Sequence, residues 1–168
     1  MKLVLNQDYP ADLDRLWAVF GQTDYPERKY RALGATAVKM MRFRATPELI
    51  EVELERTWPV SADKLPSWAR AYVGDEQTMR HHTLWRRVGP KEANAELRLT
   101  PEGVPVDVRG TASIAEIDPG KTRMTLRFDV RCRIPLVGAK VAKLFAQEIE
   151  EALTADHAYT LRYLREVN

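Results

Sequence analysis

Residues 136–166 contain no proline, and their one glycine, Gly138, stands near the start. Val141, Phe145, Ile149, Ala152, Leu153, Thr160 and Leu164 recur there at helical spacing, with Lys140, Lys143, Glu150, Glu151 and Arg162 mostly elsewhere. The pattern predicts a single helix of about 30 residues, roughly 45 Å long. A rod of that length needs a partner surface equally long to bury its apolar stripe. In a chain of 168 residues, enough for one compact domain, that surface must come from what precedes it.

What precedes it is mostly sheet. The hydrophobic period is two in 49–58, where Ile50, Val52 and Leu54 alternate with Glu51, Glu53 and Glu55. Further strands are expected at 2–9, 36–45, 76–88, 92–100, 104–117 and 122–134. Gly89-Pro90, Pro101-Glu102-Gly103 and Asp118-Pro119-Gly120 make hairpin-scale connections, so neighbours should run antiparallel. After the first strand, Leu13, Leu16, Trp17 and Phe20 share one face of a short helix, and 24–33 predicts another, bounded by Asp24, Pro26 and Gly34. In KLPSWARAYVGD, Leu65, Trp68, Ala69 and Tyr72 fall at helical spacing and predict a short inserted helix over 65–73. The architecture is therefore α+β, a meandering antiparallel sheet covered by its terminal helix, with residues 1–168 as one domain.

Alternation assigns the covered face. It carries Val52, Leu54 and Trp58; Ala93, Ala95, Leu97 and Leu99; Val108, Gly110 and Ala112; and Leu126, Phe128, Val130 and Cys132. The small residues Ala93, Ala95, Gly110 and Ala112 lie in the middle of two adjacent strands. They fit either close helix packing, with Gly110 as a bulge, or an apolar pocket. Arg56 shares parity with Val52 and Leu54, and a guanidinium there needs a partner. Three readings remain open for it: an ion pair with Glu148 or Asp156, a bulge that turns it outward, or an anchor for an anionic ligand. His82 has the parity of Leu84, although Trp85 leaves its phase ambiguous.

Several chemistries find no support. His81 and His82 are adjacent, so a strand sends them to opposite faces; His157 and Cys132 stand apart, and no metal-ligand spacing results. Gly120-Lys121-Thr122 lacks the preceding glycines of a phosphate loop. A net charge of +2 is too weak to argue for nucleic acid. The basic rows Arg42/Arg44, Arg86/Arg87 and Arg127/Arg131/Arg133 are expected to face Glu51, Glu53 and Glu55 across strands. No apolar run approaches the roughly 20 residues that cross a bilayer. MKLVLNQDYP falls short of a signal peptide and Cys132 is the sole cysteine, so a cytoplasmic location is expected.

The topology, Arg-x-x-Pro at Arg56–Pro59, LPSWARAYVGD, VPVDVRGTASI and IPLVGAKVAKL together resemble the bacterial domain-of-unknown-function family 2505. That family falls within the START-like (SRPBCC, Bet v 1-like) helix-grip superfamily of birch-pollen-type allergens, polyketide cyclases and lipid-transfer domains. The resemblance implies a curved seven-stranded antiparallel sheet gripping the C-terminal helix, with a hydrophobic cavity between them. It brings no catalytic residue, cofactor or metal to carry over. The expected ligand is a hydrophobic or amphipathic small molecule, lipid- or polyketide-like. Expected cavity residues are Val52, Leu54, Arg56, Trp58, Trp68, Tyr72, His82, Leu97, Val108, Gly110, Ala112, Leu126, Phe128, Val130, Phe145, Glu148, Ile149 and Ala152. The superfamily also admits two other classes, a cyclase- or hydratase-like enzyme and a protein-interaction module of the chaperone-activator type.

Overall fold

The structure, a computed structural model, describes residues 1–167; Asn168, the last residue of the expected domain, lies outside the described residues. The elements run β1 (Lys2–Tyr9), α1 (Leu13–Phe20), α2 (Tyr25–Ala32), β2 (Ala37–Ala45), β3 (Leu49–Pro59), β4 (Glu76–Gly89), β5 (Glu92–Pro101), β6 (Val106–Asp118), β7 (Lys121–Cys132) and α3 (Gly138–Glu166). The strands form one seven-stranded antiparallel sheet in the order β1-β7-β6-β5-β4-β3-β2. Only β1 departs from a simple meander, pairing with β7 across the two small helices. Asp12 caps α1 by accepting from the Arg15 amide at 2.8 Å, and Pro26 sits in the first turn of α2.

The 65–73 segment does not form the expected helix. It holds one 3-10 turn, Ala69–Ala71, and a second, Ala62–Lys64, comes just before it. The Ala69 amide donates to the Pro66 carbonyl at 2.9 Å, the tight three-residue closure. Between Pro66 and Gly74 there is too little chain to repay the cost of nucleating an α-helix.

Gly110 is also not a bulge. The register β5–β6–β7 runs unbroken through Leu97↔Gly110↔Phe128. A Cβ on Gly110 would stand 2.6 Å from the Phe128 ring and 3.1 Å from the Arg127 carbonyl oxygen. The missing side chain is thus space for an aromatic ring laid across the neighbouring strand.

The long helix is not centred over the sheet. α3 makes its closest approaches to β7 and β1. Gln7 Nε2 donates to the Leu153 carbonyl at 2.9 Å, and His157 Nε2 lies 2.8 Å from the Asp8 carbonyl oxygen. At the N-terminus of α3, a Cβ on Gly138 would meet the Cys132 carbonyl oxygen at 2.7 Å, so glycine lets the helix begin against the end of β7. α1 contacts β6, with the Leu13 amide donating to Glu116 at 3.0 Å. Val108, Ala112 and Val130 are fully sealed in the core. The side of the sheet toward β3 and β4 is left less tightly covered.

Candidate functional site

The uncovered side is hollow. A cavity of about 470 Å³ lies between β3–β5, α2 and the inner face of α3, within the range of small-molecule sites. Its wall includes Val52, Leu54, Arg56, Trp58, Leu97, Leu126, Phe128, Phe145, Glu148, Ile149 and Ala152, which the sequence places there. Val108, Gly110, Ala112 and Val130 are not in the wall: Val108, Ala112 and Val130 are buried in the core, and the Phe128 ring fills the space beside Gly110. Trp68 packs half-buried against the core and Tyr72 is exposed; Leu65 and Val73, from the same segment, face the cavity instead. Without a continuous helix, Trp68 and Tyr72 no longer share a face.

His82 is a further correction. The inward row of β4 is Gln77, Met79, His81, Thr83 and Trp85, and His82 points outward. There its Nε2 stands 3.5 Å from Glu51, which also takes Arg42 at 3.3 Å. His81 occupies the position expected of its neighbour. Leu54, directly opposite His81 in the β3–β4 register, shares the buried side.

Arg56 points inward as its parity requires, on unbroken pairing with Val38 and Met79. Its partner is not a carboxylate. Arg56 Nε donates to His81 Nε2 at 2.8 Å. The guanidinium carbon lies 4.6 Å from the centroid of the Tyr30 ring and 4.7 Å from that of Trp58. Asp156, a candidate partner by sequence, instead binds Lys29 at 2.7 Å. Burial, together with the charges of Arg56 and Lys29, holds the His81 pKa well below the usual histidine value. A neutral ring that accepts at Nε2 carries its proton on Nδ1.

Around this pair lies a polar end built largely from α2, which sequence reasoning missed. Burial disfavours the Lys29 ammonium, yet Asp156, with the Tyr30 and Tyr25 hydroxyls beside it, more than offsets that and keeps it charged. Tyr25 donates to or accepts from Thr160 Oγ1 at 2.7 Å, and burial pushes its phenol up to about 12. Burial likewise raises the Tyr9 phenol, which donates to Gln7 Oε1 at 3.2 Å. At the rim, partial burial and the neighbouring Glu151 raise the Glu148 carboxyl, while Lys64 opposes the shift. Among the described residues no group of three or more His, Cys, Asp or Glu could hold a metal ion. Among the described residues no helix is long and apolar enough to cross a membrane.

Comparison with known proteins gives a consistent picture of this scaffold. The family described as "Protein of unknown function (DUF2505)" matches residues 5–164. Uncharacterized protein Rv0481c of Mycobacterium tuberculosis is 21% identical over 164 residues, 95% of this chain and 94% of its own. Among solved structures, the Zhui aromatase/cyclase from Streptomyces sp. R1128 superposes with a TM-score of 0.63 at 14% identity, covering 100% of this chain and 96% of that one. A START superfamily protein from Mycobacterium smegmatis gives 0.55 at 14% identity, over 97% and 98% of the two chains.

Proposed function

The chain belongs to the DUF2505 family and has the START-like helix-grip fold, and from that premise we propose that it binds a hydrophobic or amphipathic small molecule between sheet and α3. The observation that carries this reading is the cavity of about 470 Å³, apolar along most of its wall and polar at the Arg56–His81 end. Aliphatic side chains exclude water from the guest, Trp58 and Phe128 give flat contact area, and the polar end orients it. The reading takes the whole chain as one ligand-binding domain acting in the cytoplasm, in keeping with its single free cysteine.

Catalysis on the same guest is the second reading, favoured by the convergence of Arg56, His81, Lys29, Asp156 and Tyr25 on one cavity. Against it, His81 spends its only lone pair on Arg56, and Lys29 and Asp156 neutralise each other. None of the three is free to move a proton without first breaking a bond within the site. A protein-interaction role gains nothing from the surface: its exposed large apolar residues, such as Val4, Met41, Val88 and Leu136, belong to separate elements.

Native mass spectrometry of gently purified protein, followed by solvent extraction, tests the binding reading. The expected result is a retained small molecule, or stabilisation on adding apolar compounds. A chain that comes out empty and gains no thermal stability from any apolar or amphipathic compound would overturn it. Turnover of an added polyketide-like compound would favour the second reading.

A further inference from the structure

The cavity contains a cation with no counter-charge. Among the described residues no carboxylate lies within ion-pair distance of Arg56; Lys29 is neutralised by Asp156, and Glu148 stands at the rim beside Lys64. The guanidinium is nevertheless held firmly, with Nε on His81 and the rings of Tyr30 and Trp58 against it. Those contacts use one of its five N–H groups. The remaining four lie on the two terminal nitrogens, which have no acceptor among the described residues. Every fully buried side-chain nitrogen or oxygen among the described residues has a hydrogen-bond partner, so these two nitrogens are not sealed away, and the side chain that carries them lines the cavity.

We propose that the occupant of this cavity carries one carboxylate on an apolar body, and that the carboxylate sits on the terminal nitrogens of Arg56. This rests on the binding reading above and adds the ligand's chemical class to it. The two terminal nitrogens of a guanidinium present parallel N–H donors at the spacing of two carboxylate oxygens. The neutral His81 matters here: it fixes the plane of the guanidinium while adding no charge of its own. At this end of the cavity Lys29 already has Asp156, which leaves the single charge of Arg56 to suit a monoanion; a phosphate dianion would bring in a second charge that neither residue is free to meet. Desolvating the guanidinium with an alcohol or an alkane as guest would leave its donors unmatched.

Displacement of the neutral dye Nile red provides the test, with competitors sharing one alkyl chain: dodecanoate, dodecanol, dodecyl phosphate and dodecyltrimethylammonium. Dodecanoate should displace the dye at about tenfold lower concentration than dodecanol, or better, as the loss of charged hydrogen bonds implies. Arg56→Met should abolish that preference while the dye still binds, and Arg56→Lys should retain part of it. Equal displacement by acid and alcohol, or a preference that survives Arg56→Met, would overturn the carboxylate assignment and leave the binding reading intact. Dodecyl phosphate outcompeting dodecanoate would also overturn it. Failure of Nile red and every competitor to bind the wild-type chain would overturn both. Should Arg56→Met fail to fold, the wild-type panel and Arg56→Lys decide the matter.

Discussion

The β3–β4 pair carries arginines on both of its faces, and the two faces treat them differently. Outside, Arg80 meets Glu55 at 2.7 Å across the two strands, and Glu51 of β3 takes Arg42 from the neighbouring β2 at 3.3 Å, so each cation there has an acid. Inside, one register step away, Arg56 meets a histidine and two aromatic rings. On the outer face Arg80 and Arg42 stand half or more in solvent, which screens the pairs even where Glu51 itself is buried, so they adjust surface charge and contribute little to folding. On the inner face solvent is scarce, and a partner chosen without charge leaves the guanidinium's attraction unspent. The same two strands thus build a neutralised surface and a receptive interior from one alternating pattern.

The largest effect is expected where an inner charge does have its acid. Lys29→Met leaves Asp156 alone beside the cavity and should cost about 3 kcal/mol, the low end for buried pairs because both groups keep some solvent contact. Adding Asp156→Leu should recover most of the loss, and urea denaturation of the three variants measures it. A single variant as stable as wild type would show that the inner pair is screened like the outer ones.

Gly110→Val comes next. Its side chain would collide with the Phe128 ring, and overpacking of this kind costs roughly 1–3 kcal/mol. Pairing it with Phe128→Ala should remove the collision, though not the lost ring packing, so the double mutant should be less unstable than the two losses summed.

His81 sharpens the contrast through pH. Its folded pKa is depressed, so below about pH 6.5 the unfolded chain takes up a proton that the folded chain refuses. Stability should therefore fall as pH drops from about 6.5 toward the folded pKa. His81→Gln should flatten that slope over roughly pH 6.5–5, before most carboxylates titrate. An unchanged slope would mean that the ring charges freely beside Arg56. The smallest effect belongs outside: Arg80→Ala should leave the thermal midpoint within experimental error, since Arg80 is half exposed and Glu55 keeps its own contact with water.

Much of this could be read in the chain itself, for reasons that differ by region. Strand alternation in β3 and β7 is regular, and it placed Leu54, Trp58, Leu126 and Phe128 on the covered side; hairpin signals set the meander. β4 misled because two histidines sit side by side among residues of mixed polarity. Giving Met79 and Trp85 more weight than Leu84 would have turned His81 inward. α2, YPERKYRA, reads as a polar surface helix, and nothing local says that Lys29 and Tyr30 face a cavity. Asp156 lies more than a hundred residues from Lys29, so their pairing is a property of the closed fold. Likewise the four small residues at mid-sheet were ambiguous, because helix, void and a neighbour's ring all require the same absence of side chain.

That last point reaches beyond this chain. Gly110 and Phe128 are neighbours on the sheet, and the Phe128 ring also forms part of the cavity wall. A lineage that enlarged the residue at 110 would have to shrink the one at 128, and the freed volume would pass to the guest. Across an alignment the two columns should trade bulk in opposite directions, and chains carrying the exchanged pair should accept broader ligands than this one.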